Sequence, residues 1–296
     1  MKRFVMHTLA AACLAAAVGP VFAEATSSAT FGNLVITLTD LNAADGIAPT
    51  LSFQANGHAY VLGETLGFGD TYQDNLYAYT APQQHGVTSG QVGTDWSSAS
   101  SSVTAANTVA GFTALSAAGM AGSGIDAYGA YRSYATGADP FFNTFTLSAN
   151  TKVTFSTVAA GQARTSMGYN LDADQDEYAY AHMMLAVGGS VGGVDQYDVQ
   201  ERELFATFNV RDDGTTEGVS NSWSGLLSAS FSNTSGVNAF GEMQAFVSTE
   251  GHSAMWDGVT KGLSPVPEAD GYAMMLAGLA LVGGIARRRK QECAQA

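Results

Sequence analysis

Hydrophobic and polar residues alternate along much of this chain. Leu34, Ile36 and Leu38 alternate with Val35, Thr37 and Thr39, and Leu51 and Phe53 alternate with Ser52 and Gln54. A period of two marks a strand, whose successive side chains point to opposite faces. His58 to Leu62 continues with aromatic and β-branched residues, and Asp45-Gly46 supplies a turn. Phe141 to Thr157 predicts a β-hairpin, with Phe145 and Leu147 on one arm, Val153 and Phe155 on the other, and Ser148-Ala149-Asn150-Thr151 between them. Three more strands follow: Leu204, Ala206, Phe208 and Val210; Leu227, Ala229 and Phe231; and Met243, Ala245 and Val247.

Thr94 to Ile125 departs from this pattern. Gly, Ala, Ser and Thr fill 23 of its 32 positions, punctuated by Val103, Val109, Phe112, Leu115 and Met120. It predicts short edge strands and small-residue loops with a brief helix over Phe112 to Met120; a disordered insert is the alternative reading. Short regular strands joined by Gly-, Asn- and Asp-rich turns predict an all-β protein, a single β-sandwich of jelly-roll kind over residues 24–260.

Both ends are built differently. Lys2 and Arg3 precede the apolar run Leu9 to Val18, and Val21-Phe22-Ala23 is a small-x-small site. Residues 1–23 therefore read as a signal peptide cut between Ala23 and Glu24, with the Sec translocon and signal peptidase as partners. Residues 261–271 form a linker in which Gly262, Ser264, Pro265 and Pro267 oppose regular structure. Residues 272–286 carry no charge and predict a transmembrane helix. Those 15 residues are fewer than the roughly 20 of a comfortable span. Arg287, Arg288, Arg289 and Lys290 open a basic cytoplasmic tail, 287–296, of the kind that stops a segment at the inner face of a bilayer.

This tail resembles the PEP-CTERM sorting signal of Gram-negative bacteria. Val266, Pro267 and Glu268 match its motif, Tyr272 to Leu279 its helix opening, and Arg287 to Arg289 its basic cluster. Ala269 stands where the second motif proline would be. The resemblance covers only about the last 30 of 296 residues. It implies handling by an exosortase, a membrane cysteine protease that cuts near the motif. It also implies a transient inner-membrane anchor, and then a cell-surface or extracellular place among exopolysaccharide.

With both ends set aside, the body has no cysteine, since Cys13 lies in the signal and Cys293 beyond the arginines. Disulfide and thiol chemistry are excluded there. Leaving out Asp270 and Glu292 from the 26 acidic residues, and Lys2, Arg3, Arg287, Arg288, Arg289 and Lys290 from the 12 basic ones, leaves 24 against 6, a net charge of −18. Such a surface repels phosphate backbones, so nucleic acid is not expected as a partner.

Candidate chemistry is sparse. Asp172, Asp174 and Asp176 alternate as in the opening of a calcium loop, but Glu177 stands where an EF-hand needs Gly and Met183 where it needs Glu. A noncanonical calcium site and a solvated acidic turn are the two readings. His58, His85, His182 and His252 lack zinc-helix spacing and read as structural. No Gly-x-Ser-x-Gly elbow or dinucleotide loop is present. Aromatics are plentiful, Tyr60, Tyr77, Tyr131 and Tyr134 among them, and Trp96 is the candidate platform for a sugar ring. Three functions follow. The first is a non-enzymatic structural protein of the surface or biofilm matrix. The second is a carbohydrate-binding module in the same place. The third, a secreted hydrolase, has no legible catalytic constellation.

Overall fold

The computed structural model describes residues 23–53, 58–82, 86–105, 111–124, 126–138, 144–167, 169–170 and 175–255. They fall in one compact unit, Met1–Asp257; a second, Gly258–Ala296, contains no described residue. The signal peptide to Phe22, Val266 to Ala269, the 272–286 segment, Arg287 to Arg289, and Asp172 and Asp174 lie outside the described residues.

Among the described residues the chain is all-β. Its strands are β1 (Glu24–Phe31), β2 (Val35–Asp40), β3 (Leu51–Phe53), β4 (His58–Phe68), β5 (Gln73–Pro82), β6 (Val87–Gly93), β7 (Ser97–Ala105), β8 (Phe112–Gly124), β9 (Ala127–Ala138) and β10 (Thr144–Leu147). There follow β11 (Thr151–Thr165), β12 (Tyr169–Asn170), β13 (Gln175–Asp176), β14 (Tyr178–Val191), β15 (Val194–Ala206), β16 (Phe208–Val210), β17 (Thr216–Gly218), β18 (Ser220–Asn233) and β19 (Ala239–His252).

Fifteen of them form one antiparallel sheet whose spine runs β15-β14-β19-β9-β8-β1-β11-β18. The sheet folds over where β8 meets β9, which pair only through Ser123↔Tyr128 and Gly124↔Ala127. Asp126, one of the residue types that tolerate the left-handed region, turns this corner at φ 54°. The two halves then stack as in a sandwich: β7 packs over β4 and β9, β8 over β19, β11 over β14, and β18 over β15. Burial alternates with period two on β1, β7, β14 and β19, as two-layer packing requires.

The interior has two characters. Phe31, Phe112, Phe145, Phe155, Phe231, Leu115, Leu147, Met183, Leu185 and Met243 are fully buried. Phe145 lies 5.8 Å from Phe155 and 6.0 Å from Phe231. Each such side chain contributes about 1.5–3 kcal/mol by leaving water. Toward β4–β7 and β9 the filling is small residues around two tyrosines. Tyr77 bonds Ser101 Oγ at 2.8 Å, and Tyr131 bonds Ser27 Oγ at 2.6 Å. A side chain on Gly63 or Gly90 would overlap the Tyr77 ring, and one on Gly119 or Gly251 would overlap Tyr131.

That packing corrects the reading of Thr94 to Ile125. The expected helix over Phe112 to Met120 is strand β8, paired on both sides, to β7 and β1. The small residues are sockets for tyrosines of the facing layer and of neighbouring strands. Composition alone does not distinguish a socket from a linker.

The expected hairpin over Phe141 to Thr157 is also corrected. β10 pairs with β19 and β3, whereas β11 pairs with β1, β2 and β18. The two strands form an arch between layers and meet through buried Phe145, Leu147, Val153 and Phe155 rather than through backbone bonds. Residues 204–210 are not one strand either: β15 ends at Ala206, and the Thr207 carbonyl instead accepts from Thr165 Oγ1.

Candidate functional site

The two outer faces differ in chemistry. On the β7–β8–β1–β11–β18 side the outward positions are mostly hydroxyls: Ser98, Ser100 and Ser102 on β7, Thr26, Ser28 and Thr30 on β1, and Ser222, Ser224 and Ser228 on β18. On the other side rings and carboxylates stand out among them, beside Leu62, Met184, Ala186, Gln244 and Ser248.

The rings follow from strand alternation. In Tyr178-Ala179-Tyr180-Ala181-His182 the alanines are fully buried, which turns the three rings outward. The same parity turns Phe246, Glu250 and His252 out of β19, Arg132 and Tyr134 out of β9, and Tyr60 and Glu64 out of β4. The rings then touch in sequence. Phe205 lies 5.0 Å from Tyr178, Tyr178 6.4 Å from Tyr180, and Tyr180 6.0 Å from His182. His182 lies 5.0 Å from Phe246, Phe246 5.3 Å from Tyr134, and Tyr134 6.0 Å from Tyr60. This track crosses β15, β14, β19, β9 and β4. Strand spacing makes it about 19 Å wide.

Carboxylates hold the rings in place. Tyr178 donates its hydroxyl to Glu250 at 2.7 Å, and Tyr180 donates to Glu203 at 2.6 Å. His182 Nε2 lies 3.3 Å from Glu201, and His252 Nε2 lies 3.3 Å from Asp176. Partial burial, and then the adjacent carboxylates, raise both phenol pKa values, so Tyr178 and Tyr180 stay protonated donors. An open hollow of about 430 Å³ lies where the track meets β15, lined by Tyr178, Phe205, His252, Glu250, Asp176 and Arg132 among others.

The residues singled out in the sequence fall elsewhere or only at the margin. Ala23 is buried, its carbonyl accepting from the Ser123 amide, and the Glu24 amide donates to Ser166 Oγ at 2.8 Å. Trp96 sits in the β6–β7 turn, half-buried, its ring lying over Gly124. Asp176 is exposed at the hollow, and Glu177 is fully buried, accepting from the amides of Ser166 and Met167. No cluster of metal-binding side chains is formed among the described residues. Tyr60 and Tyr134 belong to the track, whereas Tyr77 and Tyr131 point inward. The missed residues are Tyr178, Tyr180, Phe205 and Phe246. The Tyr-Ala-Tyr-Ala-His alternation is the signal that could have found the first two.

Fold and face together define an antiparallel, sandwich-like all-β protein with one hydroxyl face and one aromatic–carboxylate face. Neither a protein-family model nor a curated protein matches the chain.

Proposed function

We propose that this chain is an exported, non-enzymatic structural protein of the cell surface or biofilm matrix, sorted by a PEP-CTERM signal and associated with exopolysaccharide. The aromatic track carries the reading. Rings in an open row suit the apolar faces of successive sugars, and phenols anchored to carboxylates are already ordered, so little freedom is lost on contact. In this reading the Sec translocon and signal peptidase deliver the body, the inner membrane holds it transiently by 272–286, and an exosortase cuts beside Val266-Pro267-Glu268-Ala269. The acidic, cysteine-free composition suits an exported body. A sandwich of jelly-roll connectivity belongs to the proposal; it is supported by β8–β9, β10–β11 and β18–β19, which each pass from one layer to the other. A dedicated carbohydrate-binding module at the surface is the second reading, and the same track favours it. Calcium at Asp172, Asp174 and Asp176 is a minor element, tested by whether millimolar calcium raises the melting temperature.

One comparison tests the main reading. Cells express the full chain, a chain lacking Val266 to Ala296, and a Tyr134→Ala/Phe246→Ala variant. The truncated chain is expected to be mis-sorted, and the double variant to be sorted normally but washed from the matrix. Normal sorting without the tail would sink the sorting claim, and full retention of the double variant would sink the role of the track.

A further inference from the structure

We propose that the hollow at the β15 end of the track binds the ammonium group of an amino sugar, so that the polymer gripped by this face is a cationic, N-unsubstituted one. The inference rests on the polysaccharide reading above and adds the charge of the ligand. Three rings border the hollow: Tyr178 meets Phe205 edge-on at 67° and lies 5.5 Å from His252. Two carboxylates, Glu250 and Asp176, stand beside them, against the single guanidinium of Arg132. Rings and carboxylates around one opening are the surroundings a cation seeks, since aromatic faces carry negative potential and a carboxylate supplies the counter-charge.

The wider face agrees in sign. It presents Glu64, Glu201, Glu203, Glu250 and Asp176 against Arg132, which the strand register sets between Glu250 and Glu64. A polyuronate would meet like charge. A neutral glycan would gain the stacking alone. A lysine side chain could enter the hollow but would not use the row of rings leading from it. An amino-sugar polymer uses both.

The test titrates the purified full chain with de-N-acetylated glucosamine oligosaccharides, their N-acetylated counterparts, oligogalacturonate, and oligolysine of matched charge. The de-N-acetylated sugar is expected to bind at least tenfold tighter than the acetylated one. Glu250→Gln and Phe205→Leu are each expected to weaken it about tenfold. Asp195→Asn, at the far end of the β14–β15 hairpin, is expected to change nothing, and circular dichroism checks that each variant is folded. Equal binding of both sugars, or an unchanged Glu250→Gln, overturns the ammonium subsite and leaves the polysaccharide reading standing. Oligolysine binding as tightly and with the same variant dependence overturns the sugar assignment. Binding of no glycan at all removes both readings.

Discussion

Gly119 shows how single positions set the packing. It lies mid-strand, where glycine ordinarily weakens a sheet, yet a side chain there would overlap the Tyr131 ring. Gly119→Val is expected to cost about 1–3 kcal/mol, read as a lower urea midpoint with an unchanged slope. Tyr131 makes a second point. Burial raises its phenol above the ordinary 10.0, with the Ser27 hydrogen bond offsetting only part of the shift. A group held protonated in the fold lends stability that is complete below its unfolded pKa and is lost as pH rises toward the folded one. The protein is therefore expected to lose stability above about pH 10, and Tyr131→Phe to flatten that slope, as followed by chemical unfolding at stepped pH.

Individual strands carry unequal weight. β1 is only eight residues of small and polar type, EATSSATF, with no strong hydrophobic signal except Phe31. It nevertheless lies between β8 and β11 and pairs along its whole length with β8 and over Ala25–Phe31 with β11. A chain beginning at Glu24 is expected to fold, and one beginning at Gly32 to lose its fixed tertiary structure, with near-UV circular dichroism as the readout. Among the described residues β18 and β15, at the ends of the spine, each pair on one side only. The arch between β10 and β11 has a local device of its own. Asn150 turns at φ 50° and its side chain donates to Asp45 at 2.7 Å, tying the arch to the β2–β3 loop.

The folded unit, as far as its described residues go, divides its surface by layer. One half of the folded sheet shows hydroxyls to solvent and the other shows rings and carboxylates, although both are parts of one continuous sheet. Neither face is visible in a count of residue types. Strand class was legible in Leu227, Ala229 and Phe231 and in Met243, Ala245 and Val247, where apolar residues recur at every second position; in residues 178–182 of β14 the buried positions between the rings hold only alanines. In β7 and β8, rich in serine, glycine and alanine, the sequence showed short edge strands but neither the length of β8 nor its pairing on both sides, and in the arch the alternation is also that of a hairpin.

The sequence by itself determined the all-β class, the absence of cysteine from the body, its acidic charge and the periods of β2, β3, β4, β10, β11, β18 and β19. These are properties of neighbouring residues, and neighbouring residues are what a sequence records. Only the tertiary structure decided which strands pair, where the sheet folds over, and that Tyr60, Tyr134, Tyr180, His182, Phe205 and Phe246 share one track. The physical reason is that an antiparallel sheet brings together residues far apart in the chain by register alone. Tyr134 and Phe246, 112 positions apart in the sequence, stand 5.3 Å from each other because β9 and β19 pair.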